Sequence, residues 1–223
     1  MIKLENYEVL GWEHAIRGMR NPMNSWEKSD SEFYGDPWSC QSGVGGCSNF
    51  GSCACYIGKN DLDLMTRLRN AGTDHRKFMR MITVYLDITA PLYWWKEFDT
   101  YKVGTVANSC STMHKIHEKE FTLDDFSCEK LYDPLGDFRP IVDRLNVYRE
   151  RYLETKDKND WWQMIQLLPT SYNQRRTVML NYEVLANIYK SRRNHKLDEW
   201  YTFCDWIEKL PYSELITGNE KKD

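Results

Sequence analysis

The run Phe78 to Ala90, FMRMITVYLDITA, followed at once by Pro91, sets the tightest limit on the fold. β-Branched and aromatic residues dominate it and polar ones recur, the composition of a strand with one face partly wet. Proline lacks the donor that a helix's first turn does not use, so the strand should stop there. A helix should begin with LYWWKEFDTYK and run to Gly104.

Elsewhere the period is helical. Glu8 to Arg20 (EVLGWEHAIRGMR) has apolar residues near helical spacing and stops at Asn21-Pro22. Asn60 is placed to cap a helix over Asp61 to Asn70, with Leu62, Met65 and Leu68 on one face and Gly72 as its stop. Beyond a charged connection from Lys115 to Pro140, helices are expected over Ile141 to Glu154, Asp160 to Leu168, Leu180 to Ser191 and Lys196 to Lys209. A strand-bearing first half and a helical second half make the expected class α+β. We expect one domain over 1–223, with a Ser/Gly/Cys-rich loop at 24–60 and a frayed tail at 218–223.

Composition narrows the function classes. The chain is 41% hydrophobic with 14 Tyr, 9 Trp and 8 Phe, an aromatic load that must be buried or used, which excludes disorder over most of its length. No apolar run approaches the roughly 18–20 residues that span a bilayer, and MIKLENYEVLGWEH lacks the features of an export signal, so no membrane is expected. A formal charge of -3 gives no field to hold a long nucleic acid. Seven cysteines in such a chain suggest a reducing, cytoplasmic setting.

Four constellations offer chemistry. Cys40, Cys47, Cys53 and Cys55 lie six, five and one residues apart, which makes no pair of zinc knuckles, so no metal is expected. Gly43-Val44-Gly45-Gly46 lacks the flanking strand and helix of a phosphate loop. From Tyr172 to Lys196, Arg175, Arg176, Lys190, Arg192, Arg193 and Lys196 face one acid, Glu183, an excess that calls for a counter-anion or for acids from elsewhere in the fold. Thr105 to Thr112, TVANSCST, follows Gly104 with small donors that suit an anion or a pyrimidine edge, and Cys110 is a candidate nucleophile.

The order NAGTDHRKF, MITVYL, the Pro-started helix ending TYKVGTVANSCST, then LPTSYNQRRTVMLNYEVLANIYKSR resembles the flavin-dependent thymidylate synthases from about Leu62 to Trp200. On that family's signature R-H-R-x-x-S-x-N-E-x-S-x-R, Thr100, Tyr101 and Lys102 take the R-H-R places, Thr105 the first Ser, Ala107-Asn108 the Asn-Glu pair, Cys110 the second Ser and Thr112 the last Arg. The late segment, read as a helix, matches without a gap from Leu168-Pro169 through Arg175, Asn181, Leu185 and Asn187 to Arg192.

The resemblance implies a central, mostly antiparallel sheet flanked by helices, and transfer of a one-carbon unit from methylenetetrahydrofolate to C5 of dUMP or a related pyrimidine nucleotide. FAD would be the cofactor and NADPH the reductant. It implies Arg192 as the catalytic residue, polarising the pyrimidine. Lys102, Asn108, Ser109, Cys110, Ser111, Arg175 and Arg192 would meet the substrate; Lys102, Thr105, Asn181, Asn187 and His195 would meet the cofactor, with Lys196 a second choice beside His195. Sites in this family form between subunits of a homotetramer.

Two other readings stand beside it: a nucleotide-binding or assembly homologue without flavin, and an enzyme that uses Cys110 as the pyrimidine nucleophile. The segment Arg17 to Ser31 has no clear counterpart in the family, and Arg17, Arg20, Asn24, Ser25, Lys28 and Ser29 are candidates for substitute substrate contacts or for a plain capped turn and surface helix.

Overall fold

A single left-handed residue, Gly11 with φ 91°, separates a strand from a helix at the start of the chain in the computed structural model, which describes residues 2–33 and 55–218. The strand is β1, Lys3–Leu10, and the helix is α1, Trp12–Arg20. A β-carbon at Gly11 would collide with the carbonyl oxygen of Met81, so glycine is required for conformation and for space. The helix expected from Glu8 therefore starts late, because Glu8 to Leu10 are extended. Tyr7 and Val9 alternate with exposed neighbours as strand geometry demands.

β2 (Glu32–Phe33) and β3 (Cys55–Tyr56) form a small antiparallel pair, with Glu32 opposite Tyr56 and Phe33 opposite Cys55. The expected 24–60 loop is thus ordered at both described ends, and Asn21–Met23 and Trp26–Lys28 are short 3-10 turns. α2 runs Lys59–Asn70, starting before Asn60, with Gly58 as its N-cap. β4 is Thr83–Pro91 and α3 is Leu92–Phe98, the handover at Pro91 that the sequence predicts, although Arg76–Arg80 is a 3-10 turn rather than strand. β5 (Val106–Ser109), α4 (Arg139–Thr155) and α5 (Lys158–Leu167) follow.

The largest correction concerns Asn173–Asn181. It is a strand, β6, and only Tyr182–Arg192 is helix, α6. Asn181 accepts a hydrogen bond from the Val184 N–H at 3.0 Å and so caps α6 where the strand ends. α7 (Asp198–Ile207) and α8 (Glu214–Thr217) complete the elements. The main sheet has the order β1-β4-β6-β5 and is antiparallel, giving an α+β fold with helices predominating after Arg139.

By contacts the chain divides into two compact units. The first comprises Met1–Lys3, Ile88–Thr100 and Ala107–Thr177; the second comprises Leu4–Asp87, Tyr101–Val106 and Val178–Asp223. In the first, Phe121, Phe126, Phe138, Val142, Leu145 and Met164 form a core beneath α4 and α5, and Trp94, Trp95 and Phe98 are buried on α3. In the second, Met65, Phe78, Ile82, Leu86, Tyr182, Trp200 and Phe203 are buried. Burying a large side chain of this kind is worth about 1.5–3 kcal/mol, so each unit has a real hydrophobic interior. Among the described residues no helix is long and apolar enough to cross a membrane.

Candidate functional site

In the first unit the site grows from the period of β6. Successive strand residues point to opposite faces, so Gln174 and Arg176 share one face while Arg175 takes the other. Gln174 is buried and Arg175 exposed, as that alternation requires. The Arg176 guanidinium lies 4.2 Å from the Trp95 ring, donates to Asp99 at 2.8 Å, and donates through Nε to Gln174 Oε1 at 3.0 Å. Trp95 Nε1 donates to the Gln174 carbonyl at 2.9 Å. Gln174 Nε2 in turn donates to the Cys110 carbonyl at 2.8 Å, and the Cys110 N–H donates to the Arg175 carbonyl at 2.9 Å. A chain of polar contacts running from α3 thus fixes the backbone of Cys110.

Cys110, Ser111 and Arg175 line one cavity of about 470 Å³ with Tyr172, Gln174 and Lys119. This volume is in the range of small-molecule sites. Of its other charges, Lys115 is paired with Glu118, Asp125 receives the Thr122 N–H and hydroxyl in a capping box, and Glu120 is a further carboxylate on the wall. Burial, with the nearby charges of Asp125 and Cys110, raises the Tyr172 phenol above its usual range, so it stays a neutral donor. The Cys110 thiol is free and exposed. Asn108 and Ser109, also expected to meet substrate, lie on the exposed strand β5 and do not line this cavity.

In the second unit Arg192 closes α6. Its Nε donates to the Tyr101 hydroxyl at 2.9 Å, and its guanidinium lies 4.9 Å from the Trp200 ring and 5.6 Å from the Tyr101 ring. Two aromatic faces therefore hold a permanent cation in one orientation. His195 Nδ1 accepts from the Leu197 N–H at 3.2 Å, which makes the imidazole part of the turn into α7.

Gly104, φ 79°, sits so close to Asn181 that a β-carbon would stand 3.0 Å from its amide nitrogen. Asn181 is committed to capping and Lys102 is exposed. Thr105 Oγ1 is buried without a hydrogen-bond partner. Such a hydroxyl is costly to leave unmet.

Asn187 lines a second cavity, of about 540 Å³, with Arg69, Arg76, Lys190, Arg193 and Tyr189. No carboxylate lines it. Glu183 receives Arg76 at 3.0 Å, and Asp205 and Glu208 receive Arg193 at 2.9 Å and 3.4 Å. Arg69 spends two donors on the Leu215 and Ile216 carbonyls, which are neutral. Burial, and after it the Arg76 charge, lower the Arg69 pKa. Four cations and no carboxylate on the lining favour an anion in the cavity. The sequence singled out Lys190 and Arg193 and missed Arg69 and Arg76, although Arg67 and Arg69 on α2 and Arg76, Lys77 and Arg80 in the 76–80 turn are a basic signal that could have found them.

The basic stretch from Tyr172 to Lys196 is therefore not one patch. Its arginines belong to two units, and Arg176 and Arg193 are paired with acids distant in sequence. Arg20 is also withdrawn from substrate duty. It is buried, donates to Asp61 at 2.7 Å, and holds the Ser25 and Lys28 carbonyls at 3.1 Å each. Cys40, Cys47, Cys53 and the Gly43 to Gly46 cluster lie outside the described residues. Among the described residues no group of three His, Cys, Asp or Glu is arranged to hold a metal.

No protein-family profile and no curated protein sequence matches the chain. Solved structures do. One is thymidylate synthase X of Helicobacter pylori with FAD and dUMP, at TM-score 0.67 and 16% identity over 98% of both chains. Another structure of the same flavin-dependent enzyme, also complexed with FAD and dUMP, gives TM-score 0.63 and 18% identity over 97% of this chain and 98% of that one.

Proposed function

We propose, from a chain that carries the fold of the flavin-dependent thymidylate synthases, that it binds a pyrimidine nucleotide and FAD and transfers a one-carbon unit to C5 of dUMP or a related base. The observation that carries this reading is the meeting of Cys110, Ser111 and Arg175 in one cavity, at positions the family gives to its nucleotide.

Arg175 would grip the phosphate through paired N–H donors, Ser111 and the neutral Tyr172 would add hydrogen bonds, and Gln174 would keep the Cys110 backbone in place. Arg192 carries the catalytic role. A charge fixed between Tyr101 and Trp200 stabilises an enolate-like pyrimidine without having to reorganise.

The anionic part of FAD suits the Arg69, Arg76, Lys190 and Arg193 cavity beside Asn187, whose cations exceed their carboxylates. Thr105 Oγ1 offers a buried donor still to be met. When bound, FAD would supply the redox and carrier chemistry for a one-carbon unit from methylenetetrahydrofolate, with NADPH as the reductant. Lys102, Asn108, Ser109, Asn181 and His195 remain assigned by resemblance; Asn181 and His195 also cap α6 and the turn before α7.

A homotetramer belongs to the same proposal. Val103 is 91% exposed and Val106 61% exposed on the turn around Gly104, an apolar surface that a second copy would cover. Among the described residues the free thiols Cys110, Cys128 and Cys204 suit a reducing, cytoplasmic setting. The reading takes 1–223 as one functional domain.

A second reading is favoured by one observation, the exposed thiol of Cys110 in the nucleotide cavity, which places a nucleophile where the family has a serine. Two measurements separate the possibilities. Purified protein absorbing at about 450 nm supports the flavin reading, whereas a colourless protein that FAD does not reconstitute points to a binding homologue. Activity that survives Cys110→Ser excludes the thiol as nucleophile.

A further inference from the structure

A third cavity, in the first unit, has no role in this reaction. It measures about 280 Å³ and is lined by His114, His117, Tyr152, Lys156, Lys158 and Trp161, together with Met113. Its walls come from the loop after β5, the end of α4 and the start of α5. No carboxylate lines it, and neither lysine is in an ion pair among the described residues.

The walls are built. Trp161 Nε1 donates to the Met113 carbonyl at 2.9 Å, which ties its indole to the loop. The His117 ring meets Tyr152 edge-on at 4.9 Å, and the His117 carbonyl accepts from Arg149 at 3.0 Å. His117 Nδ1 is buried with no partner, an unmet polar atom in a cavity already rich in donors. Lys156 stands 5.7 Å from the Tyr152 ring and ends α4 with φ 55°. The N-terminus of α5 is already capped by Asp157, which accepts from the Asn159 N–H at 2.9 Å, so the lysines and imidazoles supply the positive charge of the cavity.

We infer that this cavity is a second binding site, for a nucleoside monophosphate: the aromatic rings of Tyr152 and Trp161 take the base, and Lys156, Lys158 and the imidazoles take the phosphate. Base–aromatic stacking tolerates any base, so the phosphate and the rings, not base identity, set the class of ligand. The site has a direct line to the nucleotide cavity. Ser111 lines that cavity, and its Oγ accepts from the N–H groups of Met113 at 3.2 Å and His114 at 2.8 Å. A nucleotide held by His114 and Trp161 would therefore bear on the loop that presents Ser111.

The test is calorimetric titration of the full chain with AMP, adenosine and inorganic phosphate. It compares the unmodified protein, Arg175→Ala, and the double variant Lys156→Asn with Lys158→Gln. Asparagine tolerates the left-handed backbone at position 156, so the variant keeps its fold; Trp161→Phe gives a second check through the rings. AMP is expected to bind the unmodified protein and Arg175→Ala alike, with affinity at least tenfold lower in the lysine variant and for adenosine. Absence of heat with AMP, equal binding by the lysine variant, or loss of binding in Arg175→Ala alone would overturn the inference. The last result would leave the nucleotide cavity itself intact as a proposal.

Discussion

The side-chain amide of Gln174 donates to the main-chain carbonyl of Cys110 at 2.8 Å, and the other end of that amide accepts from Arg176. One buried residue thus joins the α3 cluster of Trp95 and Asp99 to the wall of the nucleotide cavity. Replacing it removes one acceptor of Arg176, which keeps Asp99, and leaves the Cys110 carbonyl without its side-chain donor. Gln174→Ala is expected to cost about 1–3 kcal/mol in denaturant unfolding and to weaken dUMP binding several-fold. Gln174→Glu, which keeps an acceptor for Arg176 and loses the donor to Cys110, should retain stability and still weaken binding.

Arg192 is expected to reject its nearest substitute. Lysine keeps the charge but neither the plane that faces Trp200 nor the Nε donor to Tyr101. Arg192→Lys should lower turnover by at least tenfold, read from single-turnover rates, while circular dichroism and melting temperature change little.

Arg69→Gln removes a cation whose pKa burial and Arg76 already depress. The protein should then purify with less flavin absorbance at about 450 nm than the unmodified chain. Equal flavin content in the two would remove that cavity from the cofactor site.

Asp61 and Arg20 hold the beginning of the chain together. Burial works against the Asp61 carboxylate, but hydrogen bonds from Ser29 at 2.7 Å and Ser31 at 2.6 Å, with Arg20, outweigh it and hold its pKa below the ordinary 3.8. A carboxyl depressed on folding stabilises the protein above its unfolded value, and that stability is lost as the pH falls through the folded value. Urea midpoints should drop on acidification from about pH 5 towards pH 2, and the drop should be smaller in Asp61→Asn. Arg20→Ala should cost about 3–5 kcal/mol by leaving a buried charge unpaired, with nucleotide affinity unchanged.

The two thiols described in opposite surroundings should react differently. Cys204 is fully buried, and burial pushes its pKa up to about 11, whereas Cys110 is exposed. Peptide-resolved alkylation of the native protein should label Cys110 and spare Cys204 until unfolding.

The handover at Pro91 was legible because proline acts locally, fixing φ and removing a donor whatever surrounds it. Strand β6 was not, since TVMLN can satisfy a helical or an alternating pattern and only its neighbours β4 and β5 decide between them. β1 was hidden by exposed polar residues such as Glu5, Asn6 and Glu8 on a sheet edge, and its boundary rests on the backbone of Gly11. Arg175, Cys110 and Ser111 were found through residue type and order. Gln174 and Arg69 were not, because a neutral amide and one of two arginines on α2 acquire meaning only from Arg176 and Arg76, which the fold brings to them.

The central claim is that Arg175 secures the phosphate of a pyrimidine nucleotide, and calorimetric titration with dUMP tests it most directly. Saturable heat with the unmodified chain, and affinity at least tenfold lower in Arg175→Ala, is the result this account predicts. No heat with either protein, or the same affinity in both, would contradict it.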